Sequence, residues 1–251
     1  MKMTRKLIPA FVMLIVSAIM LSTASFAWFA TNREVTANNM SVTANGNTKF
    51  LHISTAPDTG FNTQVNAANA AKDVDLIHAK IDETDKTTVK WYLGSSTVSG
   101  SVGSTNGTPI DDSTVSTDVD PTDPAASKYA LINTFYFKMS NTSTSQLKNL
   151  TVSEITVTGD SSIKNALRVL VVGEAGSQIW KLDTSDPTKM VSAGGNNADY
   201  LITDKITKDS PATKSVKVYV YYDGEDASAT SDNATALGEM TVNVTFTAAD
   251  A

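Results

Sequence analysis

Seven or more segments of this chain read as β-strands, and the clearest of them place apolar side chains at every second position, a period of two that belongs to the strand rather than to the helix. The clearest is "YALINTFYFKM", where Tyr129, Leu131, Phe135, Phe137 and Met139 share one face. "TTVKWYL" sets Val89, Trp91 and Leu93 against Lys90 and Tyr92, and "SVKVYVYY" groups Val216, Val218 and Val220. "GEMTVNVTFT" groups Met240, Val242, Val244 and Phe246, leaving Thr and Asn on the other side. "ALRVLVV" is nearly continuous apolar and predicts a central strand buried on both faces. In "LTVSEITV", Leu150 and Val152 lie in one phase and Ile155 and Val157 in the other, the signature of a β-bulge. Polar turns separate these runs, so the expected fold is all-β: one antiparallel β-sandwich or jelly roll.

Two stretches depart from that pattern. Thr63 to Ile81, "TQVNAANAAKDVDLIHAKI", is Ala-rich with Val74, Ile77 and Ile81 at helical spacing, and predicts one short helix. Residues 94–127 are a Gly/Ser/Thr/Asp insertion with too little apolar surface to order itself, and predict a long mobile loop.

The N-terminus reads differently from the rest. Lys2, Arg5 and Lys6 precede a run from Leu7 to Ala30 that carries no charge, as an export signal or a membrane helix requires. Ser25-Phe26-Ala27 supplies the small residues a signal peptidase reads at the third and first positions before its cut. The expected signal peptide is therefore an apolar helix over 1–27, cleaved after Ala27, with one β-sandwich domain over 28–251. Retention as an anchor, with Trp28 at the interface and Arg33 as its flank, is the alternative. In either case the body of the chain is expected outside the cytoplasm.

Past the signal, "REVTANNMSVTAN" places Val35 and Ala37 on one parity and Met40 and Val42 on the other, with Asn38-Asn39 absorbing the slip. This segment, 28–44, is either the first strand of the chain's own sandwich or a strand given to a neighbour, since both carry the same pattern. Trp28 and Phe29 at a freed terminus tilt the reading toward donation, because exposed aromatics there are otherwise a liability.

Charge and composition exclude several classes. A net charge of −6 and a pI near 4.9 argue against nucleic acid as a partner. With no cysteine there is no disulfide framework and no thiolate metal cage. His52 and His78 are the two histidines and stand in no H-E-x-x-H frame, so they read as incidental surface or rim residues. No G-x-S-x-G elbow, P-loop or dinucleotide fingerprint occurs, and no enzymatic activity or cofactor is expected. The acidic pairs Asp111-Asp112 and Asp118/Asp120 fall in the 94–127 insertion and read as solvating charge. "DGEDASATSDN" gathers Asp223, Glu225, Asp226 and Asp232 around Gly224 as oxygen donors of the kind calcium takes, but without the EF-hand spacing, and reads first as an acidic hairpin loop.

Three stretches together resemble a known group. The segments "AWFATNREVTANNMSVTA", "FYFKMSNTSTSQLKNLTVSEITV" and "VYVYYDGED…NATALGEMTVNVTFTA" resemble the TasA/camelysin-type exported proteins of Gram-positive bacteria, whose signals are cut by the SipW class of peptidase. The resemblance implies a jelly-roll fold and subunits of extracellular surface or biofilm-matrix fibres. It also implies donor-strand assembly, in which the freed N-terminal segment, here Trp28, Phe29, Val35, Ala37, Met40 and Val42, completes a neighbour's sheet. Self-association into filaments, other exported matrix proteins as partners and a transient membrane contact through the signal follow from it. A monomeric, adhesin-like binding module at the cell surface is the alternative. Metallopeptidase activity, a label some camelysin-like proteins bear, lacks its zinc ligands here.

Overall fold

A computed structural model describes residues 33–35, 41–46, 51–67, 72–74, 76–93, 109–110, 115, 129–139, 147–159, 163–195, 214–229 and 240–250. The chain divides into two units, Met1–Arg33 and Glu34–Ala251, and apart from Arg33 every described residue belongs to the second. Those residues form an all-β body.

The centre is a six-stranded antiparallel sheet. It runs in the order β13 (Met190–Gly195), β12 (Ser177–Leu182), β11 (Leu167–Val172), β14 (Lys214–Tyr222), β9 (Leu131–Met139), β3 (Leu51–Ser54). One face packs on a four-stranded sheet ordered β10 (Leu147–Gly159), β15 (Met240–Asp250), β2 (Ser41–Gly46), β4 (Gln64–Asn66). A three-stranded sheet of β6 (Ile77–Ile81), β7 (Val89–Leu93) and β8 (Pro109–Ile110) covers the other. β1 (Arg33–Val35) pairs with β5 (Lys72–Val74).

Alternation decides which core each residue joins. Odd positions of β9 and β11 and even positions of β14 (Leu131, Phe135, Phe137; Val169, Val171; Val216, Val218, Val220) meet Val242, Val244 and Phe246 of β15 in the main core. Phe137 and Phe246 stack edge to face with centroids 4.9 Å apart. The opposite parity (Ile132, Leu170, Tyr219, Tyr221) would face solvent in a two-layer sandwich. Instead it forms a second core with Ile77, Ala79 and Trp91 of the added layer. The Trp91 ring lies 5.5 Å from Tyr219 and 5.4 Å from Tyr221. β11 is thus buried on both faces, as its unbroken apolar run implies.

β10 carries the expected irregularity. Its register with β15 shifts between Lys148 and Thr151 and again between Val152 and Glu154. Asn149 takes φ 55°, a conformation asparagine tolerates better than most side chains. The shifts let Leu150, Ile155 and Val157 all point inward in spite of their mixed parity.

Two expectations are corrected. No helix spans Thr63–Ile81: β4, β5 and β6 occupy it, because backbone partners on β2, β1 and β7 outweigh the local preference of an Ala-rich run. Among the described residues, helical structure is a 3-10 turn, Lys164–Ala166, and the single helical residue Val115. The 94–127 insertion is not wholly without structure. Pro109–Ile110 pairs with Trp91 and Tyr92, Ile110 packs on the second core, and Val115 is fully buried there. The order comes from surfaces the insertion lands on, not from its own composition. Its other residues, including the Asp111-Asp112 and Asp118/Asp120 pairs, lie outside the described residues.

Candidate functional site

Ser25, Ala27, Trp28, Phe29, Ala37 and Met40 lie outside the described residues. Val35 ends β1, and Val42 lies in β2. β2 sits in the interior of the four-stranded sheet. It is antiparallel to β4, with Val42 opposite Val65, and parallel to β15, with Val42 opposite Val244, Thr43 opposite Thr245 and Ala44 opposite Phe246. Every other paired strand with a described register is antiparallel. The partners Val42 and Val244 are roughly 200 residues apart in sequence, so the pairing joins the two ends of the described body. Parallel ladders are slightly weaker per residue than antiparallel ones. On the far side β2 is held by β4, a strand of three residues.

Among the described residues, the edges formed by β10, β3, β8 and β13 are poor templates for a further strand. β10, thirteen residues long, is interrupted by its two register shifts, and its far end is tied to the β12–β13 loop by Val157 N–H donating to the Thr188 carbonyl at 2.8 Å. Lys189 pairs with Glu154 at 3.0 Å across the same corner. β3 has four residues, β8 two, and β13 ends in Gly194-Gly195. Bulges and short strands are the devices by which sheets avoid edge-to-edge growth.

A second constellation surrounds Arg168, which is 8% exposed. Its Nη2 donates to Asp226 Oδ2 at 2.8 Å and approaches Asp223 Oδ2 at 3.1 Å, while Nη1 donates to the Asn165 and Leu167 carbonyls. His78 of β6 donates from Nδ1 to Asp223 Oδ1 at 2.8 Å, and its buried Nε2 lies 3.6 Å from Glu225 Oε2. Gly224 N–H donates to the Ile77 carbonyl at 3.1 Å. The cluster therefore clasps the three-stranded layer to the end of β14. His78 is not the incidental rim residue its sequence context implies, because folding brings it 145 positions along the chain to Asp223. His52, on β3, has its pKa lowered by burial and by the nearby Lys138 charge.

The Asp223–Asp226 loop also belongs to a recurring turn. Asp82–Thr87, Asp183–Thr188 and Asp223–Ser228 read D-E-T-D-K-T, D-T-S-D-P-T and D-G-E-D-A-S. In all three the second Asp accepts from the backbone N–H and hydroxyl of the Thr or Ser two residues on, at 2.6–3.0 Å. The second Asp carbonyl also accepts the N–H three residues later, closing the turn. The D-x-x-D-x-[ST] spacing is visible in the sequence and was the signal available for finding these loops. Its carboxylates serve their own backbone.

Those bonds hold the exposed acids in their ionised form. Asp82 is driven well below the usual carboxylate range by the Lys90 ammonium and the Thr84 hydroxyl. Asp85 is lowered by the Thr87 and Thr88 hydroxyls, Asp183 by Ser185, and Asp186 by Thr188. Burial pushes Asp226 upward, but the Ser228 hydroxyl and amide together with the Arg168 guanidinium outweigh it, and the net shift is down.

Two of the loop's candidate calcium carboxylates are thus engaged: Asp223 by Arg168, His78 and the Glu225 N–H, and Asp226 by Arg168 and Ser228. Asp232 lies outside the described residues. Among the described residues no group of three or more histidine, aspartate or glutamate side chains is arranged to hold a metal ion.

No protein-family model, characterised protein or solved structure matches the chain.

Proposed function

We propose that this chain is an exported structural subunit of the TasA/camelysin type, and that it assembles by exchanging its N-terminal strand between copies to build an extracellular surface or biofilm-matrix fibre. Cleavage after Ala27 frees the segment led by Trp28 and Phe29. The sandwich is read as a jelly roll whose four-stranded sheet is completed by β2. The observation that carries the proposal is the seat of β2: an N-terminal strand, parallel to the C-terminal β15, filling a slot inside a sheet.

A strand of the same sequence from a second copy satisfies the same backbone groups on β15 and β4. Blunted edges elsewhere leave this slot as the route to assembly that the fold favours. The contact is head-to-tail and does not close on itself, so it propagates as a filament. Other exported matrix proteins with a matching strand are candidate co-assembling partners.

Negative-stain microscopy of the protein processed after Ala27, beside a chain beginning at Asn45, tests this. Filaments from the first and none from the second are expected. Filaments from both, or discrete monomers from the processed chain at every concentration and salt, overturn the proposal.

A further inference from the structure

We propose that the outer face of the four-stranded sheet is a self-association surface that packs against the same face of a second copy of this chain. The face is fixed by alternation. Because Val242, Val244 and Phe246 of β15 enter the main core, Thr241, Asn243, Thr245 and Thr247 stand on the opposite side, and each is half-buried among its cross-strand neighbours. β10 adds Thr158 opposite Thr241 and Thr156 opposite Asn243. The charges on the outward side of β10 and β15 are Lys148, opposite Ala249, and Glu154, opposite Thr245, whose carboxylate is held by Lys189 at 3.0 Å.

The outermost layer on the other side of the molecule is built differently. The β6–β7 hairpin carries Lys80, Asp82, Glu83, Asp85, Lys86 and Lys90. A threonine-rich outer face is ordinary for a strand. A face without an unpaired acid among its described residues, in a chain of net −6 that bears acids on its hairpin loops, is less so.

Charge selects the occupant. Two copies meeting through the Asp82/Asp85, Asp183/Asp186 or Asp223/Asp226 loops bring like charges together, which costs several kcal/mol at close range. Meeting through this sheet brings the Glu154 carboxylate already paired with Lys189, and the opposite-signed Lys148, rather than a cluster of like charges. Threonine hydroxyls and the asparagine amide are each donor and acceptor, so the face is complementary to itself under a two-fold rotation. From strand spacing and rise its area is roughly 400 Å² per copy, below the ~800 Å² per partner of a standard stable interface. One such contact is weak. Repeated along a filament it becomes strong through effective concentration, a consequence that rests on the assembly reading above, whereas the pairwise contact does not.

The test compares wild type with Thr156→Glu/Thr158→Glu on β10, away from the β2 slot, and with Thr156→Lys/Thr158→Lys as a second variant should the first fail to fold by near-ultraviolet circular dichroism. Sedimentation equilibrium of the processed protein is read at ~0.05 and ~0.5 M salt, alongside filament width by negative stain. Weak self-association that strengthens with salt is expected, with filaments that lie side by side. The variants should need at least about tenfold more protein to associate, while still forming single filaments. Wild-type filaments that stay single at both salts overturn the proposal, as does variant association equal to wild type. If no filaments form, the assembly reading fails. The face is then judged by sedimentation alone, where an ideal monomer up to about millimolar protein overturns it, as does retention on soluble neutral polysaccharide without self-association.

Discussion

Arg168 sits where a single side chain satisfies two carboxylates and two carbonyls at once, with His78 sharing one of the acids. Replacing it with methionine keeps much of its length but leaves Asp223 and Asp226 facing one another across a low-dielectric pocket. The expected cost is about 3–5 kcal/mol, read as a drop in the urea midpoint with unchanged slope. A loss under 1 kcal/mol would mean the cluster is hydrated in solution. The exposed turn acids act through pH. Their folded-state pKa values lie below the ordinary value near 3.9, so their stabilisation is complete above that value and is lost as pH falls through the depressed folded values. The share of the urea midpoint due to these acids should be level above about pH 5 and decline below about pH 4, on top of a separate decline below about pH 6.5 from His52, whose folded pKa is lowered. The Asp82→Asn/Asp85→Asn/Asp183→Asn/Asp186→Asn variant should start lower and decline less. Parallel pH curves for the two proteins would contradict that account. Asn149 gives a backbone test: at φ 55°, Asn149→Val should cost about 1–2 kcal/mol, while Asn149→Gly should be nearly neutral.

At the scale of elements, legibility followed the strength of the two-residue period. β9, β11, β14 and β15 could be read because their core positions are large and regularly spaced, and the β10 bulge because Leu150 and Ile155 break parity in one short run. β6 could not. Ile77 and Ile81 match a helical repeat as well as a strand, and the deciding partner, Trp91, enters from ten or more residues away across a turn. The second core was hidden for a related reason: Tyr219, Tyr221 and Ile132 occupy what reads as the outer face until another layer lands there. The Arg168 cluster was illegible because its members come from β6, β11 and the loop after β14. Trp91→Ala should cost about 3–5 kcal/mol and loosen the three-stranded layer first. Amide exchange should show protection lost at Ile77–Leu93 before β11 and β14; uniform loss across the six-stranded sheet would mean that the layers unfold as one.

For the whole molecule the consequence is a sandwich with guarded edges and one strand drawn from the far end of the chain. Assembly by exchange asks only that β2 leave one body and enter another, with the same partners on β15 and β4. The chain has no cysteine, so two introduced thiols report this without background. Thr43 and Thr245 are direct cross-strand partners, at a spacing a disulfide spans. Thr43→Cys protein is mixed with Thr245→Cys protein, allowed to assemble, oxidised and separated without reductant. Disulfide-linked pairs joining one chain of each kind are expected from the filaments. Filaments that yield no such pairs, while a Thr43→Cys/Thr245→Cys double variant closes its bond within a single chain, would show that β2 stays at home and contradict the account.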